Sequence, residues 1–141
     1  MQKRWVTLMA LLAFMRMACF AAGTDQPHFA GRWKADLPKC EFGMEPVPGS
    51  LVYTVEQKGL RISVERMKQE NGNETKAART VEAKLDGSTV VLEYNASAQG
   101  YDLNIIERWS LSANGQNLTV LRSISADGGE MDQKLVFHKE L

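Results

Sequence analysis

From Ser50 onward the chain alternates apolar and polar residues in short runs: SLVYTVEQ, LRISVERM, KAARTVEAKL, STVVLEYN, YDLNIIERWSL, NLTVLRSIS and DQKLVFHK. A period of two is the signature of a half-buried β-strand. The separators are Lys58-Gly59, Asn71-Gly72, Asp86-Gly87, a weaker stretch near Ser97-Ala98, Asn114-Gly115 and Asp127-Gly128. Asn-Gly and Asp-Gly tolerate the positive φ angles of a two-residue hairpin turn. Phe29-Ala30-Gly31-Arg32-Trp33-Lys34 reads as an earlier strand, and Asp36 to Ser50, with its prolines and glycines, as a loop. The pattern therefore predicts an all-β domain: an eight-stranded antiparallel up-and-down barrel. No amphipathic helix is predicted within it.

Pairing outward from each turn tests the pattern. Lys58-Gly59 sets Val55 against Ile62 and Tyr53 against Val64. Asn71-Gly72 sets Ile62 against Val81. Asp86-Gly87 sets Ala83 against Val90 and Val81 against Leu92. Asn114-Gly115 sets Leu111 against Leu118 and Trp109 against Val120, and Asp127-Gly128 sets Val120 against Leu135. Every pair is apolar against apolar, as one buried face requires. The other face would pair Glu56 with Arg61 and Glu82 with Val91.

Charges interrupt that buried face. Glu107 lies between Ile105 and Trp109, and the Asn114-Gly115 turn puts it opposite Arg122, with Gln133 beyond. A buried charge is tolerable when paired and hydrogen-bonded. Arg66, Arg79 and Tyr94 share the inward parity. Along unstaggered strands these groups would form one layer, which barrel shear spreads along the axis. Three arginines against one glutamate leave guanidinium to spare, and the planar fork suits a carboxylate or phosphate. The candidate ligand-binding set is Arg66, Arg79 and Arg122 for an anion, Glu107 to orient Arg122, and Tyr53, Tyr94 and Trp109 for an apolar part. The competing reading is a purely structural ion pair, with Arg122 also covering Trp33 by a cation–π contact.

The N-terminus carries a different signal. MQKRWVTLMALLAFMRMACFAAG has a basic start, an apolar middle and small residues at its end, the layout of a cleaved secretory leader spanning 1–23, cut after about 21–23. Residues 24–28 read as a linker and 29–141 as the domain. Lipid anchoring at Cys19 is the alternative, and Arg16-Met17-Ala18 suits it poorly. The expected location is periplasmic or extracellular. Cleavage removes Lys3, Arg4 and Arg16 and no acid, leaving a net charge of about −3. That weighs against a nucleic-acid partner, which needs a basic face. It also leaves no integral span, and Cys40 as the lone cysteine, without an intrachain disulfide. Oligomeric state is open.

Other chemistry is thin. His28 and His138 have no metal-ligand spacing around them, and no nucleophile elbow or phosphate loop is visible. No catalytic residue, metal or cofactor is expected. Asn73-Glu74-Thr75, Asn95-Ala96-Ser97 and Asn117-Leu118-Thr119 match the glycosylation sequon, which matters only in a eukaryotic secretory pathway.

Gly31-Arg32-Trp33 at the head of such a meander resembles the Gly-x-Trp opening of the lipocalins, which are calycin-type barrels. In that family the tryptophan closes one barrel end against an arginine from a late strand, which Arg122 would match. The chain also resembles a group of small secreted bacterial proteins with a lipocalin-like domain. The residues that carry this are Gly31-Arg32-Trp33-Lys34, Lys39-Cys40-Glu41-Phe42-Gly43 and Leu111-Ser112-x-Asn114-Gly115 leading to Leu118-Thr119-Val120; Cys40 stands where that group more usually has Ser. The resemblance implies a barrel and brings no activity with it. The expected function is binding of a small amphipathic or hydrophobic, acidic ligand inside an exported barrel. The alternative is a plugged barrel that serves as a structural module or contacts a protein or envelope polymer through its surface or the Asp36–Ser50 loop. An enzyme is the third possibility.

Overall fold

Each alternating run forms a strand in the computed structural model, which describes residues 26–140; the leader read in 1–23 lies outside them. The strands are β1 (Gly31–Ala35), β2 (Ser50–Lys58), β3 (Arg61–Glu70), β4 (Asn73–Glu82), β5 (Lys84–Asp86), β6 (Thr89–Ala98), β7 (Tyr101–Leu111), β8 (Asn117–Ala126) and β9 (Gly129–Lys139). A single 3₁₀ turn, Leu37–Lys39, follows β1. All strand pairs are antiparallel, in the order β4-β3-β2-β1-β9-β8-β7-β6-β5. β1 is hydrogen-bonded to both β2 and β9, so the first strand joins the last, as an up-and-down barrel requires.

The count is nine rather than eight because the run KAARTVEAKL divides at Ala83. Its first part stays with β3, and Ala83 N donates to Leu60 O at 2.8 Å. Its last three residues turn away to pair with β6. The two end strands of the curled sheet are thus consecutive in the chain. No hydrogen-bonded ladder joins β4 to β6, which leaves a seam between them.

The Asn71-Gly72, Asn114-Gly115 and Asp127-Gly128 turns set the expected registers: Ile62↔Val81, Leu111↔Leu118 and Val120↔Leu135. Two hairpins differ. Lys58 pairs with Arg61 and Asp86 with Thr89, so the turns are Gly59-Leu60 and Gly87-Ser88. Gly59 (φ +58°) and Gly87 (φ +62°) occupy the first central position with positive φ, the glycine-first pattern of a type II′ turn. Moving a turn by one residue moves the pairing by two. Inward and outward faces are therefore preserved while partners change: Val55 meets Val64, Tyr53 meets Arg66, and Glu56 meets Ser63. Arg61 pairs instead with Glu82, at 3.3 Å. Lys84, not Glu82, faces Val91. The weak turn lies at Gln99-Gly100, both residues at positive φ, two positions beyond Ser97-Ala98.

The inward faces meet in one core. Its closed end, at the Gly59, Gly87 and Asn114 turns, is filled by Phe29, Trp33, Tyr53, Trp109 and Phe137. Phe29 meets Trp109 edge-on at 5.3 Å, and Tyr53 stacks on Trp109 and tilts against Phe137. The segment before β1 is held to this end by Gln57, whose side chain accepts from Phe29 N and donates to Pro27 O. The loop after β1 runs back along β9: Glu41 bridges Lys134, and Phe42 enters the core.

Candidate functional site

The carboxylate inside the apolar face of β7 is fully partnered. Glu107 is 3% exposed. Its Oε1 accepts from the Trp109 indole at 2.9 Å, two residues along the same face. Its Oε2 accepts from Arg122 Nε at 2.9 Å and from the Tyr94 hydroxyl. Arg122, 5% exposed, also donates through Nη2 to the Tyr94 hydroxyl at 3.1 Å and through Nη1 towards Gln133 Oε1 at 3.5 Å. Gln133 Nε2 then donates to the Phe42 carbonyl at 3.0 Å. The chain of contacts ties β6, β7, β8, β9 and the loop together.

Electrostatics follow from this wiring. Burial pushes the Glu107 carboxyl up, but the Arg122 guanidinium and three hydrogen bonds outweigh it and hold the group below its ordinary value. For Arg122, burial disfavours the charge, and the Glu107 carboxylate with the hydrogen bond to Tyr94 more than offsets it, so the guanidinium stays charged. Burial, reinforced by the Glu107 charge, pushes the Tyr94 phenol up. Tyr53 is also raised, by burial first; its hydroxyl lies within the fields of Arg122, Glu107, Arg66 and Arg79. The layer is therefore one electrostatic neighbourhood.

Its members do not play one part. Glu107, Arg122 and Tyr94 are in direct contact. Arg79 lies with its guanidinium 3.9 Å from the centre of the Tyr94 ring, a cation–π contact that spans the seam between β4 and β6. Tyr53 and Trp109 are core residues, 2% and 0% exposed. Arg66 stands apart: its Nε is buried and meets no hydrogen-bond partner among the described residues. Neither Arg66 nor Arg79 is within ion-pair distance of a described carboxylate. Arg122 does not cover Trp33. The cation over that ring is Lys139, at 5.7 Å, because Arg122 is already committed to Glu107.

Beyond this layer the inner walls diverge. On β6–β9 the next level is the aligned band Tyr94↔Ile105↔Ile124↔Met131. On β3 and β4 it is polar: Arg66, Lys68, Glu70, Thr75 and Ala77 line a recess of about 230 Å³. Ala77 sits directly opposite Arg66 and leaves room beside it. Larger depressions, of about 620 and 430 Å³, lie on the convex side and are lined by outward residues such as Glu56, Ser63 and Thr80. They are open grooves between surface side chains, and the second is also bordered by Val64 and Arg79.

Sequence parity missed the Trp109 indole as a donor to Glu107, although spacing of two on one strand is its signal. It also missed Phe42, whose carbonyl reaches Gln133 across 91 positions. The same holds for His138, which on the outer face lies 3.0 Å from Asp36 Oδ2 and 2.9 Å from Asn117 Oδ1. Cys40 Sγ lies 3.3 Å from the Asp36 carbonyl and accepts from Val136 N, and burial raises the thiol further from reactivity. Among the described residues no group of three or more His, Cys, Asp or Glu is placed to hold a metal ion. No described helix is long and apolar enough to cross a membrane.

No protein-family profile matches this chain, and no curated protein matches it. Among solved structures, the zebrafish ileal bile acid-binding protein complexed with cholic acid is similar, at 16% identity and a TM-score of 0.45, over 79% of this chain and 98% of that one. So distant a likeness says nothing about the ligand or activity of this chain.

Proposed function

We propose that this chain is an exported, non-catalytic binding protein that takes a small acidic molecule at the open end of its barrel. One observation carries the reading: Arg66 and Arg79 point inward without a carboxylate partner among the described residues, while the buried carboxylate of the layer is spent on Arg122. Buried or half-buried guanidinium is costly without an anion, and an incoming carboxylate or phosphate supplies one. The apolar band at Ile105, Ile124 and Met131 offers the acid's hydrocarbon part a surface. The filled closed end limits ligand size, because Tyr53 and Trp109 already occupy the depth of the barrel. Export rests on the basic–apolar–small pattern of residues 1–23.

Native mass spectrometry of the protein purified from its own host tests this. An adduct of a small acid is expected, lost in the R66Q/R79Q double variant, on a chain whose N-terminus begins after residue 21–23. A bare protein that also fails to bind carboxylates would end the proposal. The second reading, a plugged module that docks through its loop, draws on Met44 and Val47, 90% and 66% exposed. It predicts a chain recovered with a macromolecule and without an adduct.

A further inference from the structure

One edge of β4 faces the seam with its backbone unspent. Asn71 (φ +51°) and Gly72 (φ +78°) form a two-residue turn flanked by Glu70 and Asn73. In such a hairpin the flanking residues exchange both backbone hydrogen bonds, and pairs of this kind alternate along the ladder. Asn73, Thr75, Ala77, Arg79 and Val81 therefore turn their N–H and C=O groups towards β3, and Ala83 continues the series with its 2.8 Å bond to Leu60 O. Glu74, Lys76, Ala78, Thr80 and Glu82 turn theirs the other way, where no strand is paired among the described residues. The edge is not equally open along its length. At Arg79 the seam is bridged by the contact with Tyr94 of β6. From Asn73 to Ala78 every residue is exposed, including the inward Asn73, Thr75 and Ala77. Proline on an edge and unopposed lysine are devices that stop edge strands from pairing. This stretch has no proline, and its one lysine, Lys76, has Glu74 Oε1 at 3.8 Å on the same face.

We propose that this open half of β4 pairs antiparallel with the same stretch of a second copy of the chain, about a two-fold axis at Thr75. Residues with free backbone groups must meet one another across the contact. With the axis at Thr75, Glu74 meets the partner's Lys76, and Lys76 meets the partner's Glu74. Each pair exchanges two backbone hydrogen bonds, and on the outer face acid and base alternate around the axis. Neighbouring registers fail. An axis at Glu74 or Lys76 sets that charge against its own copy. An axis at Ala78 sets Glu74 against the partner's Glu82. An axis at Ala77 opposes no unlike charges and needs Thr80, which lies past Arg79 where the seam is bridged. The Thr75 register needs nothing beyond Ala78. A two-fold contact is closed, so it makes a dimer and not a filament. The proposal is independent of the acid-binding reading.

Sedimentation velocity of the full chain, expressed with its own leader, tests the proposal over a series of concentrations. Wild type is expected to pass from monomer to dimer as concentration rises. K76E opposes glutamate to glutamate twice, and E74K opposes lysine to lysine twice. Each should weaken the dimer about tenfold, because two cross-strand pairs change from attraction to repulsion. An equal mixture of the two single variants should regain the dimer, since each lysine of one then faces a glutamate of the other. The E74K/K76E double variant should regain it alone. Both side chains are exposed on the outer face, so thermal midpoints should stay close to wild type and show that the variants fold. T75C lies on the axis in a non-hydrogen-bonded pair, with Cα atoms about 4.5 Å apart, and should crosslink to itself under mild oxidation; T80C should not. A wild type that stays monomeric or grows beyond a dimer, a K76E dimer as tight as wild type, or a mixture no tighter than its components would overturn the proposal.

Discussion

Arg122 and Arg66 announce themselves in the same way, as guanidinium groups of inward parity, yet their surroundings are opposite. Arg122 sits among β6–β9, where Glu107, Tyr94 and Gln133 use its donors and the loop carbonyl of Phe42 completes the set. Arg66 sits on the β3–β4 side, beside a seam and an alanine, with a buried donor unspent. The difference separates a charge that holds the barrel together from one available to something else. Inward parity is common to both; the number of answered donors is not.

The comparison breaks most forcefully at Arg122. R122M should cost about 3–5 kcal/mol in urea unfolding, because it leaves Glu107 buried and unpaired. The E107L/R122M double variant should cost less than R122M alone, since it removes both charges together. An equal or larger loss in the double variant would mean that the pair is not coupled. Acid should reproduce part of the effect. The folded-state pKa of Glu107 is depressed below its ordinary 4.5. Its contribution is therefore fully present above that value and is lost as pH falls through the folded-state pKa. The stability gap between wild type and E107Q should be widest at neutral pH and narrow below about pH 4.5; a gap independent of pH would contradict the ionised pair.

Arg79 occupies the middle ground. R79M should cost about 1 kcal/mol, the scale of a cation–π contact with Tyr94, and should raise amide exchange along β4 and β6 on both sides of the seam. No change in exchange there would show that the contact does not brace the seam. R66M sharpens the contrast at the small end. It should leave stability within about 0.5 kcal/mol of wild type or raise it, because it relieves a buried donor that the fold does not answer. A loss as large as that of R122M would erase the distinction between the two arginines.

Much of this was legible in the sequence. Parity placed Glu107, Arg122, Arg66, Arg79 and Tyr94 on the inner face, and the Asn-Gly and Asp-Gly turns set the Glu107↔Arg122↔Gln133 row. What escaped has physical reasons. Gly59 and Gly87 act as first residues of their turns, and nothing local to Lys58-Gly59 or Asp86-Gly87 distinguishes that from a second-position glycine. The division at Ala83 has no proline or glycine to mark it, because it is imposed by closing the sheet. Gln99 takes a positive φ that its residue type seldom signals. Which arginine is paired is set by contacts between strands, and the recess beside Arg66 follows from the small side chain of Ala77 opposite it, in the register that the Asn71-Gly72 turn suggested.

The most direct test is nuclear magnetic resonance of the arginine Nε–H groups during titration with hexanoate. The Arg66 resonance is predicted to shift and gain protection from exchange, with Arg122 protected from the start and unmoved. A response at Arg122 with none at Arg66 would contradict the division of labour between the two.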